Sequence, residues 1–350
     1  MRILDRYITR EYVRLYFSLI FFFVAIFLLT DFFQSVGSLK KSARFLFVLE
    51  YYLLQVPSLF SLLSPLAVVT SALFLITYLG TTHQIRAMQI SGISIKRMSL
   101  PLLTAGLIIS FSLLFLNQIL VFKADQLAQK LKEENFVGTP QEKVQRNIFI
   151  HVPPSYLFYI RSFDPQEARM KDVLIYDSLY SLLIIAKEGR WEKEGRWLFL
   201  QGVEYSLKGE LKGTSFDKKL IFLDKDPSYF SKNYFPPEKM NLSELSKYID
   251  ECRKSGFETL GLETELNFKI SYPFTNFILL FLGIPIGLVL RKGGRGGSFA
   301  LGLLISFSYY ETMALFKTMG KGGFICPPLA AWIPNLIFLL GGIYLFARIE

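Results

Sequence analysis

Residues 100–122 read LPLLTAGLIISFSLLFLNQILVF, and from Lys123 the chain turns polar and stays so to about residue 267. A run of about 20 apolar residues is what a helix needs to cross a bilayer core. Working outward, two more such runs precede it, Leu15–Val36 and Phe47–Tyr78. Three follow the polar stretch, at Ile270–Leu290, Ser298–Lys317 and Leu329–Ala347. The sequence therefore predicts an α-helical polytopic membrane protein with six transmembrane helices in a 3+3 order. Residues 1–122 carry the first three spans, 123–267 form an inserted domain and 268–350 carry the last three. Pro57, Pro65, Pro273 and Pro285 fall inside apolar runs, where neighbouring helices can satisfy the carbonyls they free. The N-terminal apolar run continues past the length of a signal-peptide core, so it reads as a retained first span.

Lys and Arg set the orientation. Arg2, Arg6, Arg10 and Arg14 share one side with Arg86, Lys96, Arg97, Arg291, Lys292, Arg295 and Arg348. The short loops opposite hold fewer cations. The first side is expected to be cytoplasmic, with both termini there and the insert extracytoplasmic. The formal charge of +10 is then loop charge, and no basic stripe interleaved with aromatics points to nucleic acid.

Short alternating or apolar runs at Asn147–Val152, Tyr156–Ser162, Val173–Tyr176, Leu182–Ala186, Trp197–Leu200 and Lys219–Leu223 predict strands. Their spacing suggests a sandwich, a jelly roll or an open barrel. Asn241, with Glu244 three residues on, is a capping-box start for a helix over about 241–255.

Intrinsic chemistry is hard to place. No GxxxxGK[ST] phosphate loop and no GxSxG elbow occurs. His83 and His151 lie on opposite sides of the expected membrane, and Cys252 and Cys326 have no metal-ligand spacing. No metal or cofactor is expected in the chain.

Three features remain as candidates. The loop between spans two and three, about residues 81–95, places Ile85, Met88 and Gln89 on one helical face, with Ser91-Gly92 as a stop. It is either a handle for a cytosolic partner or an interfacial helix resting on headgroups. Lys40, Lys41, Arg44, Lys269, Lys317 and Lys321 form a basic outer rim suited to anionic headgroups, or, taken singly, snorkelling anchors. Glu311 sits slightly outside the middle of span five, where a charge costs roughly 2.5–3.5 kcal/mol on insertion scales. It should face the bundle interior, a wet cavity or a cation.

The chain resembles the lipopolysaccharide export permeases of the LptF/LptG type over essentially its whole length. The likeness is carried by Leu4-Asp-Arg-Tyr-Ile8, Met88-Gln-Ile-Ser-Gly-Ile93, Leu282-Gly-Ile-Pro-Ile-Gly287, the basic glycine run Arg291–Gly297 and Pro327-Pro-Leu-Ala-Ala-Trp-Ile-Pro-Asn335. The opening motif and Lys40-Lys41 look closer to the G member. The resemblance implies an inner-membrane F/G heterodimer with a second, homologous permease, and an insert that is a periplasmic β-jellyroll-like domain. It implies a cytosolic ABC ATPase dimer, which binds ATP-Mg and hydrolyses the ATP, docked on a coupling helix made of Gln84, Ile85, Arg86, Met88, Gln89, Ser91 and Gly92. Lipopolysaccharide would pass to a periplasmic bridge protein of jellyroll type, with a single-span bitopic regulator alongside. Lys40 and Lys41 match positions whose cations face lipid A phosphates. Gln84 stands where the family usually has an acid. Lipoprotein or macrolide exporters, and a non-transporting membrane receptor or scaffold, are the other readings. The 3+3 layout disfavours the exporters.

Overall fold

The computed structural model describes residues 3–35, 37, 45–135, 145–152, 155–165, 167–177, 179–192, 196–207, 212–223, 225–232, 237–254, 258–289 and 294–348. Lys40, Lys41 and Arg44 lie outside them. The chain divides into two compact units. One holds the long helices and the other the β domain.

Six helical segments are long and apolar enough to cross a membrane. They are α1 (Ile3–Ser35), α2 (Phe45–Thr81), α4 (Ile95–Leu116), α8 and α9 together (Leu260–Ser271, Thr275–Val289), α10 (Gly294–Lys321) and α11 (Pro327–Ala347). Between α2 and α4 lies the short α3 (Gln84–Ile90). After α4 a π-helical turn (Asn117–Val121) leads into α5 (Phe122–Asn135). Most of these helices run past the apolar limits read from the sequence into flanking polar residues.

The α2 and α9 segments form the centre of this unit, with most of their apolar side chains buried; α1, α10 and α11 are peripheral. Hydrocarbon offers no water to polar groups, so they pair across helices. Tyr16 Oη lies 2.8 Å from Ser64 Oγ, and Ser64 Oγ donates to Asn276 Oδ1 at 2.9 Å. Asn276 Nδ2 donates to the Pro273 carbonyl at 3.0 Å, at the break between α8 and α9. Tyr309 bridges Thr275 and Asn335, and Asn335 Nδ2 reaches the Ser271 carbonyl at 3.2 Å. The interruption around Pro273 is thereby repaired by side chains of α9 and α11. An added Cβ at Gly302 would collide with Thr70, so α2 and α10 approach almost backbone to backbone there.

The inserted unit is a six-stranded antiparallel sheet in plain sequential order: β1 (Gln145–Val152), β2 (Tyr156–Asp164), β3 (Arg169–Asp177), β4 (Leu182–Trp191), β5 (Arg196–Ser206) and β6 (Lys212–Phe222). Its core is Ile, Val and aromatic, and a short helix α6 (Pro227–Lys232) closes it with Phe230. The Phe230 ring meets Trp197 at 5.2 Å and Phe158 at 5.5 Å, both edge-on, the arrangement aromatic quadrupoles favour. Trp197 Nε1 donates to the Lys225 carbonyl at 3.0 Å, fixing the entry to α6. In the helical unit, α7 (Leu242–Lys254) starts as expected: Asn241 Oδ1 accepts from the Glu244 N–H at 2.8 Å.

The strands are longer than the alternation in sequence suggested, for one shared reason. Two consecutive residues turn away from the core at the same level of neighbouring strands. In β2, Ile160 and Phe163 are buried with Arg161-Ser162 between them; in β3, Met170 and Val173 flank Lys171-Asp172. In β4, Ala186 and Gly189 flank Lys187-Glu188; in β5, Phe199 and Gly202 flank Leu200-Gln201. The ladder skips Arg161, Asp172, Lys187, Gln201 and Asp217 in turn, so the row runs across the sheet as a crease. It acts like a bulge shared by several strands. Asp172 and Gln201 take φ of 49° there, and a Cβ at Gly202 would strike the Phe216 ring and the Ile185 carbonyl.

A non-glycine residue held at positive φ costs about 1–3 kcal/mol. Gln201→Gly should therefore raise the stability of the β domain, by up to about 2 kcal/mol once glycine's greater freedom in the unfolded chain takes back about 0.4–1 kcal/mol. Gln201→Val, β-branched in the same conformation, should lower it by about 1–3 kcal/mol. Denaturant unfolding followed by tryptophan fluorescence reads both; the opposite order of the two variants would mean the crease is not strained.

Candidate functional site

Two ends of the helical unit carry the candidate residues. At one end α3 is bounded by left-handed residues, His83 at φ 59° and Gly92 at φ 80°. The Ile93 N–H bonds the Met88 carbonyl at 3.0 Å and the Gly92 N–H bonds the Gln89 carbonyl at 2.9 Å. This is a Schellman stop, and it explains why Ser91-Gly92 ends the helix.

Only part of the expected face of α3 points outward. Ile85 is 1% exposed and packs in the core of the helical unit with Met88 beside it. Gln84 Oε1 accepts from Tyr7 Oη of α1 at 3.2 Å. Arg97, at the start of α4, meets Asp5 at 2.7 Å. The Tyr7 bond ties α3 to α1, and the Arg97–Asp5 pair ties α1 to the start of α4. Arg86, Gln89, Ser91 and Gly92 are exposed, and the exposed large apolar residue of α3 is Ile90, at 88%. Sequence reasoning passed over Ile90: spacing from Ile85 and Met88 defines the inward face, and Ile90 lies off it.

At the other end the rim lysines are already engaged. Glu265 of α8, 6% exposed, holds Lys317 Nζ at 3.0 Å and 2.8 Å through its two oxygens, and Lys321 Nζ at 3.5 Å. Lys321 also lies 3.7 Å from Glu238, and Lys269 Nζ donates to the Glu238 carbonyl at 2.5 Å. Lys317 and Lys321 are thus partners of a buried carboxylate before they are headgroup anchors. Glu265 was missed because a single acid beside an apolar run reads as a span boundary.

A cavity of about 290 Å³ opens beside this cluster, lined by Asn117, Gln118, Asp125, Lys239, Lys269, Lys317 and their neighbours. The π-helical turn forms one wall, and Gln118 Oε1 accepts the Leu242 N–H at 3.2 Å, tying that turn to the start of α7. The cavity balances three lysines against Asp125, Glu238 and Glu265, so it is polar without strong net charge.

Glu311 faces away from its own bundle, exposed on α10 between Phe307 and Leu315. Of the three settings expected for it, the interior of this chain's own bundle is taken by the inward positions of α10, Ile305, Ser306 and Tyr309. Among the described residues no group of His, Cys, Asp and Glu could hold a metal ion.

The family model for the lipopolysaccharide export system permease LptF/LptG matches residues 6–348. No match is found among curated proteins.

Ile85→Asp buries a carboxylate among apolar side chains and should destabilise the helical unit by about 3 kcal/mol or more. Ile90→Asp should stay within about 0.5 kcal/mol of the parent. Thermal unfolding in detergent measures both, and equal losses would contradict the clamped geometry of α3.

Proposed function

The chain belongs to the lipopolysaccharide export system permease LptF/LptG family, and we propose on that premise how it does the family's work. It is a transporter component, a multi-pass inner-membrane protein, and family membership implies a heterodimer of two permeases. On our reading, ATP is hydrolysed by a separate cytosolic dimer that grips α3, and lipopolysaccharide leaves the outer leaflet through this subunit towards a periplasmic bridge protein.

The observation that carries it is the build of α3. A seven-residue helix is too short to be stable alone, yet here it is held by Ile85, Met88 and the Tyr7–Gln84 bond while Ile90 and Arg86 stay outside. A push on Ile90 would pass through Ile85 into α2 and α4, because packed cores transmit displacement rather than absorb it. Gln84 being bonded to Tyr7, the neutral residue at the family's acidic position leaves docking to Ile90 and Arg86.

On the opposite side, Lys40, Lys41 and Arg44 would attract the phosphates of the glycolipid, each cation by on the order of 1 kcal/mol near the surface. Acyl chains would lie along α1 and α10, whose outward faces carry Phe17, Phe21, Phe27, Leu304 and Phe307. Glu311 on α10 is then a residue of the cavity or of the interface with the second permease, since a carboxylate facing lipid would be costly. Nucleotide supplies the free energy, because a ligand shifts a conformational equilibrium only by its differential affinity.

Purification of the complex in mild detergent tests this. Ile90→Asp should lose the nucleotide-binding subunit. Lys40→Glu with Lys41→Glu should keep it but lose stimulation of ATP hydrolysis by lipopolysaccharide and lose release in vesicles. Co-purification and transport unchanged in both variants would overturn the mechanism.

A further inference from the structure

The crease across the β sheet has a chemical consequence. By turning two residues outward on successive strands, it builds a trough of about 720 Å³ on the face away from the core. Five cations and three carboxylates line it, together with Gln201 and Leu200. Glu188 is committed: it takes Arg169 Nε at 2.8 Å and Arg190 Nε at 3.0 Å. The hydrogen bond from Arg190 holds its carboxyl below the ordinary glutamate range, so it stays ionised and offsets those arginines. Asp172 lies 3.4 Å from Arg161. Lys171, Lys187 and Lys218 make no ion pair among the described residues.

The trough therefore offers three ammonium groups outside any close ion pair, with Lys171 facing Glu188 across the ladder at longer range, beside side chains that accept hydrogen bonds, Gln201, Asp217 and Asp172, the last shared with Arg161. Ammonium groups select phosphate or carboxylate, and the acceptors suit hydroxyls. An apolar chain would leave these groups desolvated and unpaired. The strain at Asp172 and Gln201 is what aims this double row outward, and strained backbone of this kind clusters where a site is held ready.

We propose that the crease is a binding site for an acidic saccharide, a hydroxyl-rich chain bearing phosphate or carboxylate groups, held by Lys171, Lys187 and Lys218 with Gln201. That this saccharide is the head of the exported glycolipid rests on the export reading; the site itself does not. The apolar core of the sheet, filled by its own side chains, is separate from it.

Calorimetric titration of the full chain in detergent tests the site with three soluble probes: a phosphorylated glucosamine oligosaccharide without acyl chains, its dephosphorylated counterpart and inorganic phosphate. The phosphorylated sugar should bind at least tenfold tighter than either of the others, and more weakly at high salt. Lys171→Gln, Lys187→Gln and Lys218→Gln together should weaken it at least tenfold, while Lys247→Gln, an exposed lysine on α7, should leave it unchanged. Binding of inorganic phosphate as tight as that of the sugar would overturn the saccharide assignment. Absence of saturable binding, or an unchanged affinity in the triple variant, would overturn the site. Transport unchanged in the triple variant despite lost sugar binding would count against the export reading of the site and leave the trough itself standing.

Discussion

A bilayer core cannot solvate a carbonyl or a charge, and most of the helical unit follows from that fact. At the break between α8 and α9, Asn276 of α9 itself and Asn335 of the neighbouring α11 supply hydrogen bonds to freed carbonyls. Lys317 and Lys321 converge on Glu265 because a carboxylate at that depth needs cations. Breaking such a pair from one side typically costs about 3–5 kcal/mol, so these lysines are bound first to their own chain. Glu311 is an exposed charge on α10 with apolar neighbours Phe307 and Leu315, and a charge facing plain lipid would be costly.

Much of this was legible in the sequence, because a period of about 20 apolar residues is a strong signal. The six spans, the inserted β domain and the Asn241 cap all follow from pattern. Strand lengths did not. Reading stopped at Ser162, Ala186 and Leu200 and resumed at Val173 and Lys219, which are the places where alternation fails. The failure was itself structural: the strands continue, with two outward residues in a row. Period-two logic treats that as a strand end, and only the register of neighbouring strands reveals a crease.

Side-chain roles were legible to a lesser degree. Spacing found one face of α3 but not which way it points, since an apolar edge serves equally to anchor a helix or to offer it. Ile85 and Met88 anchor, and Ile90 is offered. The rim lysines were found as charges but not as pairs, because Glu265 and Lys317 lie on different helices and their meeting depends on packing. Positions 40, 41 and 44 lie outside the described residues, and the charge pattern of the sequence, with the family resemblance for Lys40 and Lys41, speaks for them.

The proposed mechanism requires α3 and the β domain to face opposite sides of the membrane, as the Lys and Arg pattern of the sequence predicts. Cysteine labelling addresses this directly. With Cys326 replaced by serine and Cys252 buried, single cysteines at position 90 and at position 171 would be exposed to a membrane-impermeant maleimide in spheroplasts. Position 171 should react while the inner membrane is intact, and position 90 only after it is opened. Reaction of both from the same side, or in the reverse order, would contradict the topology and with it the passage of force from cytosol to periplasm.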